Sequence, residues 1–180
     1  MSDSEARWIQ WWCAPWQWAH PAWKAPFLAL VGAAEDDLMD APQGLQTAFL
    51  HSAQIEPCQP PTPVNAVLQW LALPADQQHQ ALELAARICL TSVGDGKTQS
   101  PTSVYEGWCR AVAKALRPGV WLDPAIDDPR LLLAAWVGED CWSRLRLSWP
   151  PQAVQPAVTN MPSNKLHTLW QSVLWRVTTP

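Results

Sequence analysis

Charge is scarce in this chain of 180 residues: only 16% are charged, and 12 Lys and Arg against 16 Asp and Glu leave a net charge of -4. A general nucleic-acid binder releases counterions from phosphates with a cation surplus, which this sequence lacks. Although 48% of residues are hydrophobic, no window approaches the roughly 18 consecutive apolar residues of a membrane span, which argues against direct membrane insertion. The opening MSDSEARW is acidic and no uninterrupted apolar run follows it, so no secretory signal is expected. Cys13, Cys58, Cys89, Cys109 and Cys141 are odd in number, widely spaced and never arranged as C-x-x-C. That spacing argues for buried thiols in a reducing compartment rather than disulfides or zinc. A cytoplasmic protein is the expectation.

Tryptophan and proline are abundant instead: 14 Trp beside 2 Phe and 1 Tyr, with 18 Pro. Six of the indoles fall between Trp8 and Trp23, in WIQWWCAPWQWAHPAW. A packed indole buries on the order of 150–250 Å², so a water-soluble chain has to dock such a stretch somewhere. Trp8, Trp11 and Trp12 share a helical face, and they read as core, with an exposed partner-binding patch as the other reading. Indoles also bind sugars and sit at membrane interfaces, but Arg7 and Lys24 are the stretch's only cations, fewer than an interfacial helix carries. Because Pro15, Pro21 and Pro26 interrupt the stretch, turns and extended pieces are expected from Pro15 to Pro26.

Helical periodicity dominates the remainder. Ser2 and Glu5 have capping-box spacing for a helix from Asp3 to about Cys13. Asp40 is placed to cap a helix over roughly 42–54 with Leu45, Ala48, Phe49 and Ser52 on one side. PCQPPTP, residues 57–63, reads as an extended connector and the best place for a subdomain boundary. Thr62-Pro63 then opens a helix with Val64, Val67, Leu68 and Leu71 in a stripe. A further helix over about 75–92 is expected to face inward with Leu82, Ala85, Ala86 and Cys89. Ser100-Pro101 begins one that runs to Arg117, with Val104, Trp108, Val112 and Leu116 on its core side, until Pro118-Gly119 stops it. Asp128-Pro129 opens what reads as one long helix with a bend at Gly138; Arg144-Leu145-Arg146-Leu147 also fits a short strand. After a second proline-rich connector, PPQAVQPAVTNMP, a last helix capped by Ser163 carries Leu166, Leu169, Trp170, Val173, Leu174 and Val177 on one side. With no sustained strand alternation and no repeat of 20–50 residues, the expected fold is all-α. It is an irregular multi-helix bundle, a single domain over 1–180, with the Trp- and Pro-rich N-terminal segment packed on it.

Catalytic and ligand motifs are weak. Gly96-Lys97-Thr98 copies the end of a P-loop, but Thr91 stands where the first glycine belongs and no strand precedes it, so a helix cap and turn is the simpler reading. His20, His51, His79 and His167 are scattered, without HExxH spacing. A Cys–His nucleophile pair needs only to meet in space, so a pocket holding His20 or His79 beside a cysteine would signal an enzyme. The carboxylate pairs Asp127-Asp128 and Glu139-Asp140 read as a cap and a solvated helix face. No cofactor, metal or catalytic residue is expected. Residues 1–63 carry seven acids and two bases, and residues 101–180 eight bases and six acids, a polarity suited to orienting the chain on partners.

Two segments carry a family resemblance. Ala14 to Trp23, APWQWAHPAW, resembles the aromatic "PxxYLHPSW" segment, and Gly138 to Trp149, GEDCWSRLRLSW, resembles the "LG…W.RLRL.F" segment, of the accessory K subunit of bacterial type III secretion systems (the SctK/YscK/PscK family). Trp18 stands where Tyr is expected and Ala22 where Ser is expected, neither of which disturbs an aromatic docking role. The resemblance implies a largely helical, non-enzymatic cytoplasmic adaptor of the sorting platform, recruited to the cytoplasmic face of the inner membrane. Its implied partners are the inner-ring D subunit and the pod Q subunit. Arg144, Arg146 and Trp149 are the candidate partner-binding residues, the arginines on condition that they are exposed. A secretion chaperone or another helical protein-binding scaffold is the alternative.

Overall fold

A computed structural model describes residues 3–32, 34, 43–90, 105–153 and 160–179. Every regular element among them is an α-helix or a short 3-10 turn. Contacts divide the chain into two compact units, each assembled from two stretches: Met1–Leu68 with Glu139–Pro156, and Gln69–Gly138 with Ala157–Pro180.

The first unit opens with α1, Asp3–Cys13, whose early acids Asp3 and Glu5 suit the positive end of a helix dipole. Trp8, Trp11 and Trp12 share its buried face, with ring centroids 5.4, 5.7 and 6.2 Å apart. From Pro15 to Pro26 the expectation of turns and extended pieces is corrected: Pro15–Gln17 is a 3-10 turn and α2 spans Pro21–Val31. Pro21 occupies the first helical position, where a missing N–H costs nothing, and the His20 ring caps the helix by accepting from Ala22 N–H at 3.1 Å. Pro26, further in, is accommodated within the helix. Next, α3 (Gln43–Ser52) and the turn after it bury Phe49, Leu50, Ala53 and Ile55, while Ala48 and Ser52, placed on the inner side by periodicity, are exposed. Phe27 of α2 meets Phe49 edge-on at 5.5 Å. The connector over 57–63 holds no helix or strand and bends at Thr62, and it leads to α4, Asn65–Leu71.

In the second unit, α5 (Ala75–Cys89) buries Ala81, Leu84, Ala85 and Ile88. The expected face is thus turned by about one residue, because the flanking Leu82, Ala86 and Cys89 are also apolar and periodicity alone does not fix the centre. Next come α6 (Glu106–Leu116), with Cys109 and Leu116 buried, and a one-turn α7 (Pro118–Trp121) begun rather than prevented by Pro118. Asp128 caps α8 (Pro129–Val137), accepting from Arg130 N–H at 2.9 Å. The last helix, α10 (Ser163–Thr178), buries all six residues of its expected stripe. Trp170 anchors this unit: Trp136 stacks on it at 5.7 Å, Trp70 meets it edge-on at 5.9 Å, and its Nε1–H donates to Leu132 O at 3.1 Å.

The long helix expected from Pro129 is in fact two. Gly138, at φ +86° and ψ 159°, ends α8, and α9 (Glu139–Leu145) starts afresh before a 3-10 turn at Arg146–Ser148. That geometry also corrects the strand alternative for Arg144 to Leu147. Asp40, Ser2, Val104, Ser100-Pro101 and the P-loop look-alike at 94–98 lie outside the described residues.

Candidate functional site

Segment 14–23 and residues 139–149 of the other resembling segment both lie in the first unit, and they interlock. His20 N–H donates to Leu147 O at 2.7 Å, and Trp23 Nε1–H donates to Trp149 O at 2.8 Å. The Arg146 guanidinium lies 4.9 Å from the Trp23 ring centroid and donates to Ala53 O in the turn after α3. Burial lowers the pKa of Arg146, since charge is disfavoured away from water. Trp149 is half-buried against Trp142, ring centroids 5.7 Å apart.

A second set of contacts holds the connector. Trp8 Nε1–H donates to Pro61 O at 2.9 Å and Trp12 Nε1–H to Cys58 O at 3.1 Å. Arg144 reaches between them, its Nε donating to Trp12 O at 3.1 Å and one terminal nitrogen to Glu56 O at 3.4 Å. Its guanidinium carbon sits 3.7 Å from the Trp12 ring centroid, a cation–π distance. The chemistry matches the composition. Prolines have no N–H, so a proline-rich stretch offers carbonyls with few local donors, whereas indole and guanidinium are donors only.

This arrangement bears on the exposure condition set for the arginines. Arg144 is 5% exposed and Arg146 half-buried, both engaged on this chain's own backbone, so the exposure on which a partner role depended is not met for Arg144. The Arg-Leu alternation conceals this, because nothing in the local pattern shows that a cation is enclosed by indoles supplied more than a hundred residues earlier. Of the six leader indoles, Trp8, Trp11, Trp12 and Trp16 are buried, Trp23 is half-buried and Trp18 is 53% exposed.

Several other titratable groups among the described residues are engaged locally. His20 spends Nδ1 on its helix cap, and exposed His79 pairs with Glu83 at 3.4 Å. Asp128 pairs with Arg130 at 2.7 Å; Glu139 and Asp140 are exposed in the first turn of α9. Burial raises the Cys89 thiol to about 12, and burial, then the neighbouring Asp140, raises Cys141 to about 11, neither of which suits a nucleophile. Among the described residues no three His, Cys, Asp or Glu side chains are grouped to hold a metal, and no helix is long and apolar enough to cross a membrane. Neither a protein-family model nor a curated protein nor a solved structure matches this chain.

Proposed function

We propose that this protein is a non-enzymatic cytoplasmic adaptor of a bacterial type III secretion sorting platform, linking the inner-membrane ring (D subunit) to the pod (Q subunit). The observation that carries the reading is the interlock of His20 with Leu147 and Trp23 with Trp149. The two segments that resemble the K subunit are distant in sequence, yet each completes the other's hydrogen bonding. A connector that works by touching other proteins benefits from such a preorganised framework, since little ordering cost is left for the moment of binding. The two units also differ in charge: the first carries four bases and nine acids, the second eight bases and seven acids. Two partners of different surface charge suit that division.

Co-purification of the full chain with type III secretion ring and pod subunits is the direct test. Recovery of both supports the adaptor, and recovery of neither at micromolar concentration overturns it. A secretion chaperone is the second reading, favoured by the acidic first unit. Chaperones of that kind are usually dimers, so a monomer by sedimentation counts against it.

A further inference from the structure

The second helix carries its polarity inside out. Across Pro21–Val31, PAWKAPFLALV, the one charged residue, Lys24, is buried together with Phe27 and Leu28. Pro21, Ala25, Pro26, Ala29 and Leu30 are exposed, with Ala22 half-buried beside them. At about 100° per residue these six fill one continuous half of the helix surface. Leu30 is 84% exposed, the most open large apolar side chain among the described residues. Beside it, Ala22, Trp23, Pro26, Phe27 and Leu30 line an open groove of about 260 Å³. A surface helix normally shows water its polar face, and a contiguous apolar half-cylinder marks an interaction site.

Charge on the same unit decides what can cover it. Three of the unit's four bases, Lys24, Arg144 and Arg146, are buried or half-buried, which leaves Arg7 as its exposed base. Asp3, Glu5, Glu56, Glu139 and Asp140 are exposed, five acids against that one base among the described residues. A second copy of this unit would bring like charge to like charge, and an anionic lipid surface meets the same repulsion. A basic partner is attracted.

We propose that the outer face of α2 is the docking surface for a basic amphipathic helix of a partner protein. The partner's apolar stripe packs across Ala25, Ala29 and Leu30, while its lysines and arginines are drawn by the net acidic charge of the unit's exposed side chains. The inference rests on the adaptor reading only for the existence of a protein partner; the face and its charge are read from this unit alone.

The probe is a labelled peptide of about 18 residues with leucine and lysine at amphipathic-helical spacing, titrated by fluorescence anisotropy into the full protein. A scrambled peptide of the same composition and a leucine/glutamate version are the comparisons. Saturable binding of the ordered basic peptide is expected. It should weaken roughly tenfold in an Ala29→Ser/Leu30→Ser variant, which loses apolar surface without changing charge. Both side chains are exposed, so an unchanged melting curve accompanies the loss. Equal affinity for the scrambled peptide overturns the proposal, as does unchanged binding by the variant or preference for the acidic peptide. Wild-type self-association or phosphatidylglycerol-vesicle binding abolished by the same substitutions also overturns it. If the variant still co-purifies with the ring and pod subunits as wild type does, the surface falls and the adaptor stands; peptide binding without either subunit gives the reverse.

Discussion

Arg144 grips Trp12 twice: its guanidinium carbon lies 3.7 Å from the indole centroid and its Nε donates 3.1 Å to the carbonyl of the same residue. Face and backbone of one tryptophan are fixed by a single side chain from 132 positions away. The grip turns a residue that reads as a surface cation into an internal brace.

Replacement of Arg144 should therefore act on stability. Arg144→Ala strips donors from Trp12 O and Glu56 O and removes the aliphatic stem, for a loss of about 3 kcal/mol. Arg144→Met restores the stem without the donors and should recover part of that loss. Urea unfolding followed by circular dichroism measures both, and an alanine variant within about 0.5 kcal/mol of wild type would refute the brace. Charge reversal at Arg144 accordingly reports on folding and cannot diagnose a partner surface.

Trp23 offers a graded comparison. Trp23→Phe keeps most of the ring and leaves Trp149 O without its indole donor, at a cost of about 1 kcal/mol. Trp23→Ala also loses the packing; because Trp23 is half-buried, about 3 kcal/mol is expected, the low end for a tryptophan truncation. Thermal melts should rank wild type, Phe and Ala in that order, and equal melting temperatures would contradict the role of the 14–23 segment.

The thiols should divide by accessibility and couple stability to alkaline pH. Cys13 and Cys58 are exposed, Cys109 and Cys141 buried, and Cys89 half-buried. An aromatic disulfide reagent should modify the first two quickly and the others only on unfolding. Cys89 and Cys141 titrate at about 12 and about 11 in the fold, above an ordinary value of 9.0. The unfolded state thus loses these protons first, so their contribution is full below about pH 9 and is lost as pH rises towards 11 to 12. Cys89→Ala should flatten the fall in stability between pH 9 and 11; an equally steep fall would remove the assignment.

At Gly138, open space does not mean tolerance. A Cβ there meets nothing within 4 Å, yet φ is +86° with ψ at 159°. That region is essentially closed to L side chains, so Gly138→Ala should destabilise by roughly 1–3 kcal/mol through the backbone alone. An alanine variant as stable as wild type in urea would show that this positive φ is not needed to end α8.

Much of the helical plan was legible because regular burial leaves a regular trace. The six apolar residues of α10 sit where a 3.6-residue period puts them, and Trp8, Trp11 and Trp12 cluster as their spacing requires. Four features left weaker traces. Prolines at Pro21 and Pro26 suggested an extended chain, but the first begins the helix and the second is tolerated within it. Both sides of α5 are apolar enough that its inward centre could not be told from its edge. The arginine braces depend on contacts across more than a hundred residues, which no local window contains; the hint available was composition, donor-only Trp and Arg in a chain whose proline stretches are rich in acceptors. The outward apolar half of α2 left no trace of its own, since periodicity cannot tell an inner from an outer face when both are greasy.

The placement of residues 139–156 in the first unit has a bearing on biosynthesis. A ribosome delivers the indole-rich leader early, but its receivers Arg144, Leu147 and Trp149 emerge only after the intervening 69–138 stretch. Until then the Trp12 ring lacks Arg144 and the Trp23 indole lacks its acceptor, which makes the nascent leader a good target for a holdase. Maturation of this unit is timed by translation of its distant second half, and a transcript cut short at Gly138 should yield a species that heat-shock machinery retains or proteases clear.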